Sequence, residues 1–440
     1  MFRTLEQHGW GRRPRVRGPV ARPERLSQLR RVLSTSPGPA VGLRRSYGDA
    51  PLNAAGPVIA MERLDRVLDF DPAAAEIEAE AGIRLGELLA ITLPHGLMPM
   101  VLPGTGFATL GGAIANDVHG KNHHRDGSFG QHVLAVQLMG PDGRLRRLTP
   151  ERQPRLFRAT LGGLGQTGVI VAARIRLMRV PGDGMAVRES RIEHISEYID
   201  RLAESEAPFS VGWIDATATG ARLGRGILEE AHPADAPVPA PARRRARVPL
   251  DAPAFTLSAP VVRLFNAAYY HRIPIEGRVR ERPMDDFFFP LDRIHDWNRL
   301  YGRPGFYQFQ CVVPEDAARE VIPALLTRIA EAGRASPLAV LKRMGPGRGG
   351  PMSFPMAGYT LALDLPARRG TEDFIRELHA MVQDAGGRIY LAKDALLTPE
   401  RAHAMYPERA EFAEAANRAD PEGVLMTDLV RRLRLREAPR

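Results

Sequence analysis

The sequence predicts an α+β protein of two domains, and three observations carry that reading. At 440 residues the chain is too long for one small hydrophobic core and suits two of ordinary size. Short runs with strand alternation recur in both halves and are joined by helical patterns, without a regular strand–helix repeat. The stretch from Pro103 to Gly130, PGTGFATLGGAIANDVHGKNHHRDGSFG, is so rich in glycine and polar residues that it cannot build a core of its own.

The elements follow in chain order. Residues 22–34 carry Pro23 in the first turn and Leu26, Leu29, Val32 and Leu33 on one face, the pattern of an amphipathic helix. Residues 39–49, PAVGLRRSYGD, read as a short strand entering a glycine turn. VIAMERLDRVLDFD and AEIEAEAGIRL alternate as strands do, and Gly86 to Leu93 reads as a short helix. Residues 132–149 form a hairpin around Pro-Asp-Gly, and 162–180 a glycine turn followed by a long strand. No strand followed by G-x-G-x-x-G and a helix occurs, which argues against a Rossmann site. A second domain begins near Pro181. There VRESRIEHI, PFSVGWIDA, GFYQFQCVVP and GYTLALDLP read as strands, with a helix over 315–333, so an antiparallel sheet with helices on one face is expected. Glu230 to Ala254, proline-rich and carrying the basic run Arg243 to Arg247, reads as a mobile loop, and 344–355 as a glycine–proline loop.

Glycines at the density of the Pro103–Gly130 stretch let backbone approach a ligand with N–H groups turned toward it. Thr109 is placed to cap a helix from Leu110, whose N-terminus faces an anion. A Gly-Gly pair followed by His-Gly-Lys points to a phosphate-bearing cofactor with polar groups at its reactive end. The basic residues sharpen this reading. Of 61 Lys plus Arg, the lysines are Lys121, Lys342 and Lys393 alone. Where arginine serves for every generic positive charge, a retained lysine marks a need for a compact ammonium of tunable pKa. Gln308 and Gln310, two apart on a strand, share one face.

The net charge of +10 is dispersed, aromatics are 6% of the chain, and no recognition helix, zinc spacing or RNA-binding motif occurs. Nucleic acid is therefore not an expected partner; an acidic small substrate or an anionic membrane surface accounts for the charge. The one cysteine, Cys311, excludes an intrachain disulfide and fits a reducing compartment. The N-terminus lacks an apolar signal region, and the longest uncharged run, Leu88 to Asn116, is broken by Pro94, Pro99 and Pro103, so no membrane span is expected. The histidines lack carboxylate or cysteine partners at ligand spacing, and no metal is expected.

RRSYGD (44–49), the glycine segment, LGGLGQTGVI (161–170), SVGWIDA (210–216), FPLDRIHDWNRLYG (289–302), QFQCVVP (308–314), VLKRMGP (340–346), YLAKD (390–394), HAMYP (403–407) and DLVRRLRL (428–435) form an ordered set. In this set the chain resembles, over nearly its whole length, the vanillyl-alcohol-oxidase/PCMH superfamily of FAD oxidoreductases, and within it the branch that oxidises decaprenylphosphoryl-ribose. The resemblance implies a PCMH-type FAD-binding domain over 1–181, a substrate-binding domain over 182–387, and a C-terminal segment, 388–440, that returns to the FAD domain. It implies non-covalent FAD, with its pyrophosphate on Gly42, Ser46, Tyr47, Gly48 and Asp49. Gly104, Thr109, Leu110, Gly111, Gly112, Asn116, Asp117, Val118, His119, Ile170 and Tyr390 would line the rest of the cofactor. It implies a substrate site of Lys121, Trp213, Gln308, Gln310, Lys342 and Lys393, with Lys393, Tyr47 and Lys121 as catalytic candidates.

The implied reaction oxidises the C2 hydroxyl of a polyprenyl-phosphate-linked ribose to the ketone. This is the first half of an epimerisation to arabinose for cell-envelope glycan, completed by a short-chain dehydrogenase/reductase. The implied location is cytoplasmic, peripheral to the inner membrane. A soluble sugar, alditol or aldonolactone oxidase is the alternative, and a basic membrane- or nucleic-acid-binding protein on a vestigial flavin fold is the reading from another class. The chain departs from the family pattern at three positions: Ala362 where cysteine is common, Arg44 where a small glycine is usual, and Val41 in place of an arginine.

Overall fold

The computed structural model describes residues 2–235 and 246–437. Most strands fall into three sheets. Phe2–His8, Arg15–Ala21, Val58–Ala60 and Ala40–Val41 form the first. The helix Leu26–Thr35 closes one side of it, burying Leu29, Val32 and Leu33 with Ala21 and Ile59 at the expected helical spacing. Pro23 lies ahead of that helix rather than in its first turn.

The second sheet is built around the long strand Val169–Arg179. Glu76–Glu80 and Val133–Met139 flank it, and Val67–Asp71 and Leu145–Leu148 lie outside them. The hairpin joining Val133–Met139 to Leu145–Leu148 turns at Pro-Asp-Gly, where Gly143 takes a left-handed φ of 72°.

The third sheet positions the site. It has eight strands, antiparallel throughout, in the order Arg278–Pro283, Gly184–Ile192, Gly226–Pro233, Phe209–Ile214, Ala339–Met344, Gly358–Pro366, Phe306–Pro314 and Arg388–Ile389. Its two faces differ because successive side chains alternate. Phe309, Cys311, Val313, Leu341, Leu361, Leu363 and Leu365 share a core with the helices Ile195–Glu204, Ala318–Ala332 and Thr371–Asp384. Directly paired residues point to one side of a sheet. Gln310, Ala362, Val340, Trp213 and Ile227 therefore form a row across the opposite face. The antiparallel sheet with helices on one face is the arrangement the sequence predicts.

Two expectations are corrected. Glu230 to Ala254 is not loop from its start: Glu230 lies within the strand Gly226–Pro233, and Ala246–Arg247 pairs with Ile294–His295. Of the basic run, Arg247 forms an ion pair with Asp296 at 3.0 Å, whereas Arg243, Arg244 and Arg245 lie outside the described residues. The C-terminal segment also does more than approach the first domain. Tyr406, Phe412, Leu429 and Val430 belong to the large core of the eight-stranded sheet, while Leu425 packs with Ala21 and Val169 of the first domain. The segment bridges the two. Among the described residues no helix is long and apolar enough to cross a membrane.

Arg432 fixes this bridge. Its guanidinium bonds both oxygens of Asp49, at 2.7 and 2.8 Å, and Oδ2 of Asp394 at 2.9 Å. Both carboxylates are buried. Beside them the Tyr47 N–H donates to the Ala392 carbonyl at 2.9 Å. A Cβ on Gly48 would collide with the Asp394 carbonyl, so only glycine allows the two segments to lie this close. Replacing Arg432 with methionine strands two buried carboxylates and is expected to cost about 3 kcal/mol of stability in urea denaturation. A loss below about 1 kcal/mol would show that packing alone holds the segments together.

Candidate active site

A cavity of about 780 Å³ lies between the free face of the eight-stranded sheet and the glycine-rich loops of the first domain. It is near the upper end of the ~300–1,000 Å³ typical of small-molecule and cofactor clefts. On the loop side it is lined by Gly42, Ser46, Tyr47, Gly104, Thr109, Gly111, Gly112, Asn116, Val118, His119, Ile170 and Tyr390. Thr109 caps the helix Leu110–Ala115, its hydroxyl accepting from the Gly112 N–H at 3.2 Å, as the sequence predicts. Gly42 abuts the Thr109 side chain so tightly that no Cβ fits.

Gly104 is a glycine for a different reason. It lines the cavity at an ordinary φ, and a Cβ there would meet no protein atom within 4 Å. The space is kept for something other than protein. Asn116 Oδ1 and His119 Nδ1 are buried there without a protein partner. An open glycine and unpaired polar atoms along one wall fit a long polar cofactor such as FAD. Arg44, at the position where a small glycine is usual, takes a left-handed φ of 52°, at a cost of about 1 kcal/mol. Arg45 has its guanidinium over the rings of Trp10 and Phe107, at 4.1 and 4.5 Å from their centroids.

Four of the residues expected at the cofactor are not in this wall. Asp49 turns to Arg432, and Gly48 packs under Asp394. Leu110 is a core side chain. Asp117 accepts from the N–H groups of Gly130 and Gly349, both at 2.7 Å, and from Ser128 Oγ at 2.8 Å. It ties the glycine segment to the loop after Met344. His123 and His124 are structural as well: His123 Nδ1 accepts from the Gly345 N–H at 3.1 Å, and His124 Nε2 lies 2.9 Å from the Ala207 carbonyl.

All three lysines of the chain line this one cavity. Lys393 Nζ sits over the Tyr47 ring, 3.7 Å from its centroid. Lys121 sits at the same distance, 3.7 Å, over the Phe287 ring and donates to the Phe287 carbonyl. Lys342 reaches the Gly120 carbonyl at 3.5 Å. Burial pulls the Lys393 and Lys121 ammonium pKa values down to about 7 and that of Lys342 to about 8. Asp364 opposes the effect at Lys393, and Glu229 opposes it at Lys121.

Beside the lysines stand the two glutamines. Gln310 Nε2 lies 3.0 Å from His119 Nε2 and 3.2 Å from Thr360 Oγ1. Gln308 donates to Asp364 at 2.6 Å, and Tyr301 donates to the other oxygen at 3.0 Å. Burial lifts the Asp364 pKa to about 7 against these two bonds, pushes the Tyr47 phenol well above its usual range, and holds His119 neutral. Ala362 faces the cavity without a thiol. Cys311, on the opposite face, has its thiol pushed up to about 12 by burial.

At the far end Trp213 donates to the Pro337 carbonyl at 2.8 Å and packs on Tyr269. Arg272, Arg280 and Arg282 line the cavity as well, a group the sequence reading did not single out, and Arg247 of the basic run joins its lining. The fully buried Glu189 carboxylate receives three guanidiniums, Arg272 at 3.4 Å, Arg278 at 2.6 Å and Arg280 at 2.8 Å. This leaves a surplus of positive charge. The signal was available in RVRER (278–282), where arginine falls on every second strand position and hence on one face.

Residues 21–149 match the family model of the FAD binding domain. Over 411 residues, 90% of this chain and 89% of the relative, the sequence is 37% identical to decaprenylphosphoryl-beta-D-ribose oxidase of Mycolicibacterium smegmatis. The chain belongs to the PCMH-type family of FAD-linked oxidoreductases. FAD is its cofactor, and it is an FAD-dependent oxidoreductase of the type that relative represents. A protein of Streptomyces coelicolor named only for its place in the mprA 5' region is 34% identical over 80% of this chain and its own whole length. D-arabinono-1,4-lactone oxidase of Yarrowia lipolytica is 28% identical over 27% of the chain and 23% of its own length.

Gly104→Val tests the wall. Its Cβ would enter open cavity with no protein atom within 4 Å, so the apoprotein is expected to melt at its usual temperature. Its FAD affinity is expected to fall by about tenfold or more, about 1.4 kcal/mol, in equilibrium dialysis. Unchanged FAD binding would place the cofactor away from this wall.

Proposed function

We propose that the protein oxidises the C2 hydroxyl of a ribose carried on a polyprenyl phosphate to the ketone, as the first half of an epimerisation to arabinose. A short-chain reductase completes the second half. The observation that carries the reading is that one cavity gathers the neutral amides of Gln308 and Gln310 with all three lysines, and an arginine surplus about Glu189. The first suits sugar hydroxyls and the second a phosphate. The 37% identity to a decaprenylphosphoryl-beta-D-ribose oxidase over nine-tenths of the chain supports the same substrate class. Residues 1–181 form the flavin part and 182–387 the substrate part in this reading, with 388–440 joining them.

FAD, bound without a covalent link, supplies the acceptor for the hydride leaving the carbon. The chain's residues do the rest. The glycine wall and Asn116 orient the cofactor. Gln308 and Gln310 hold sugar hydroxyls, Trp213 walls the pocket, and Lys342 and Lys121 supply positive charge. The leaving proton needs a base. The buried Tyr47 phenol keeps its proton and serves as a platform for Lys393, so of the two bases considered from the sequence Lys393 is the one that fits.

A base is active when unprotonated. With the Lys393 pKa near 7, flavin reduction is expected to rise about tenfold per pH unit below pH 7 and to level off above about pH 8. Lys393→Met should flatten that profile and slow reduction by about a hundredfold in stopped-flow. A profile that falls with rising pH would instead make the ammonium the working form.

The substrate is tested by comparison. Polyprenyl-phosphate ribose should reduce the flavin, and free pentoses or alditols should not at a matching rate. Arg272→Ala with Arg280→Ala should raise KM for the phosphorylated substrate by about tenfold or more and leave kcat near its usual value. Equal turnover of free sugars would favour a soluble sugar oxidase.

A further inference from the structure

Asp364 is a fully buried carboxylate on the strand Gly358–Pro366. Among the described residues no cation lies within ion-pair distance of it, and the opposing charge that bears on it, the Lys393 ammonium, acts from farther away. A carboxylate buried in this way is costly, and an apolar side chain of similar volume would avoid the cost. Asp364 does not itself line the cavity. Its direct partner across the sheet, Gln308, does.

The two oxygens of Asp364 have different donors. Oδ1 accepts from Gln308 Nε2 at 2.6 Å, and Oδ2 accepts from the Tyr301 hydroxyl at 3.0 Å. The carboxylate is held from every side. The Tyr301 ring is stacked on Phe306 with centroids 4.0 Å apart, and its hydroxyl lies 2.9 Å from Ser336 Oγ. The Asp364 N–H donates to the Leu338 carbonyl at 3.3 Å, and the Asp364 carbonyl accepts from the Ser336 N–H at 3.1 Å.

A glutamine amide has a donating end and an accepting end, and the bonds it makes decide which way it faces. An ionised carboxylate only accepts. It therefore takes the nitrogen of Gln308 and leaves the carbonyl oxygen. Gln310 reaches the same orientation by another route. Its Nε2 lies 3.0 Å from Nε2 of His119, which burial keeps neutral and able to accept, and 3.2 Å from Thr360 Oγ1. Among the described residues neither amide carbonyl has a protein hydrogen-bond partner. Two carbonyl acceptors on one strand face are thus what the pair offers to the cavity it lines.

We propose that Asp364 is a positioning residue of the oxidation site: it fixes the Gln308 amide with its nitrogen inward, so that the carbonyl oxygen meets the substrate as a hydrogen-bond acceptor. The site then reads hydroxyl groups by the hydrogen they donate. A fluorine, ether or keto oxygen in the same place sets acceptor against acceptor. Asp364→Asn would remove the choice, because a side-chain amide donates to the Gln308 carbonyl as readily as it accepts from the Gln308 nitrogen. The inference rests on the reading of the cavity as a site for a hydroxylated sugar; it does not depend on the lipid phosphate.

The test uses FAD-loaded protein at pH 8, where Asp364, whose pKa burial lifts to about 7, is ionised. Flavin reduction is followed in stopped-flow with polyprenyl-phosphate ribose, free pentoses and alditols. Each compound that reduces the flavin is compared with analogues in which one hydroxyl, other than the reacting one, is replaced by fluorine. Comparing variants on the same pair of compounds cancels the effect of fluorine on the chemistry itself. Wild type is expected to lose about tenfold or more in kcat/KM with at least one analogue. Asp364→Asn is expected to slow the hydroxyl compound and to shrink that ratio to about threefold or less, with the flavin spectrum unchanged. Adding Gln308→Glu to Asp364→Asn exchanges donor and acceptor: the amide at 364 donates, and a carboxylate at 308 has only acceptors to present. The discrimination is expected to return in that double variant, which also carries the test if Asp364→Asn alone does not fold. A wild type that does not discriminate, an Asp364→Asn variant whose ratio is unchanged, or a double variant without recovery would overturn the proposal. Flavin reduction by none of the compounds would overturn the sugar reading itself, and the proposal with it.

Discussion

Arg432 joins carboxylates that stand 383 and 38 positions away in the chain. The arrangement of the cavity depends on that junction. Asp49 ends the loop that presents Ser46 and Tyr47, and Asp394 follows Lys393 directly. One guanidinium holding both carboxylates therefore sets the distance between the Tyr47 ring and the Lys393 ammonium. Two buried carboxylates side by side repel; the delocalised, permanently charged fork of arginine neutralises both, where a lysine would satisfy one. The Asp394 carboxylate stays below its usual pKa range despite burial, with Arg432 as the main opposing influence.

The second constraint is the alternation of the eight-stranded sheet. Its helix-facing residues are almost all aliphatic or aromatic, so one face has no chemistry to offer. The other face can be polar because glycine loops and a cavity cover it. Three ammonium groups share that enclosed space, where burial favours the neutral amine at all three and the charge of Lys342 adds to it at Lys121 and Lys393. An ordinary exposed lysine would be fully charged at neutral pH; these lie close to their midpoints, so a bound anion can set their protonation.

The strands Phe306–Pro314 and Gly358–Pro366 were legible because each buries one full face, which imposes strict alternation. The three lysines were legible through scarcity alone. Asp49 and Asp117 do not line the cavity, since a loop motif does not reveal which of its members face the ligand and which have side chains that tie the loop to its own protein; both side chains turn inward. Arg278–Pro283 was missed because a sheet-edge strand with arginine on one face and solvent on the other has no apolar signal. Ala259–His271 was missed although it has a helical stripe, and that stripe is exposed rather than packed.

The alternation also limits how this cavity can diversify. Inserting or deleting one residue within Phe306–Pro314 would exchange Gln308 and Gln310 with Phe309 and Cys311, placing amides against the helices and an aromatic ring in the cavity. Such a change destroys core and site together. New specificity must come from replacing side chains at fixed register positions such as Val340, Ala362 and Trp213, and length changes must accumulate in the connections between strands. In descendants of this fold, substrate range would be written in substitutions along one row, while gaps and insertions would record little about it.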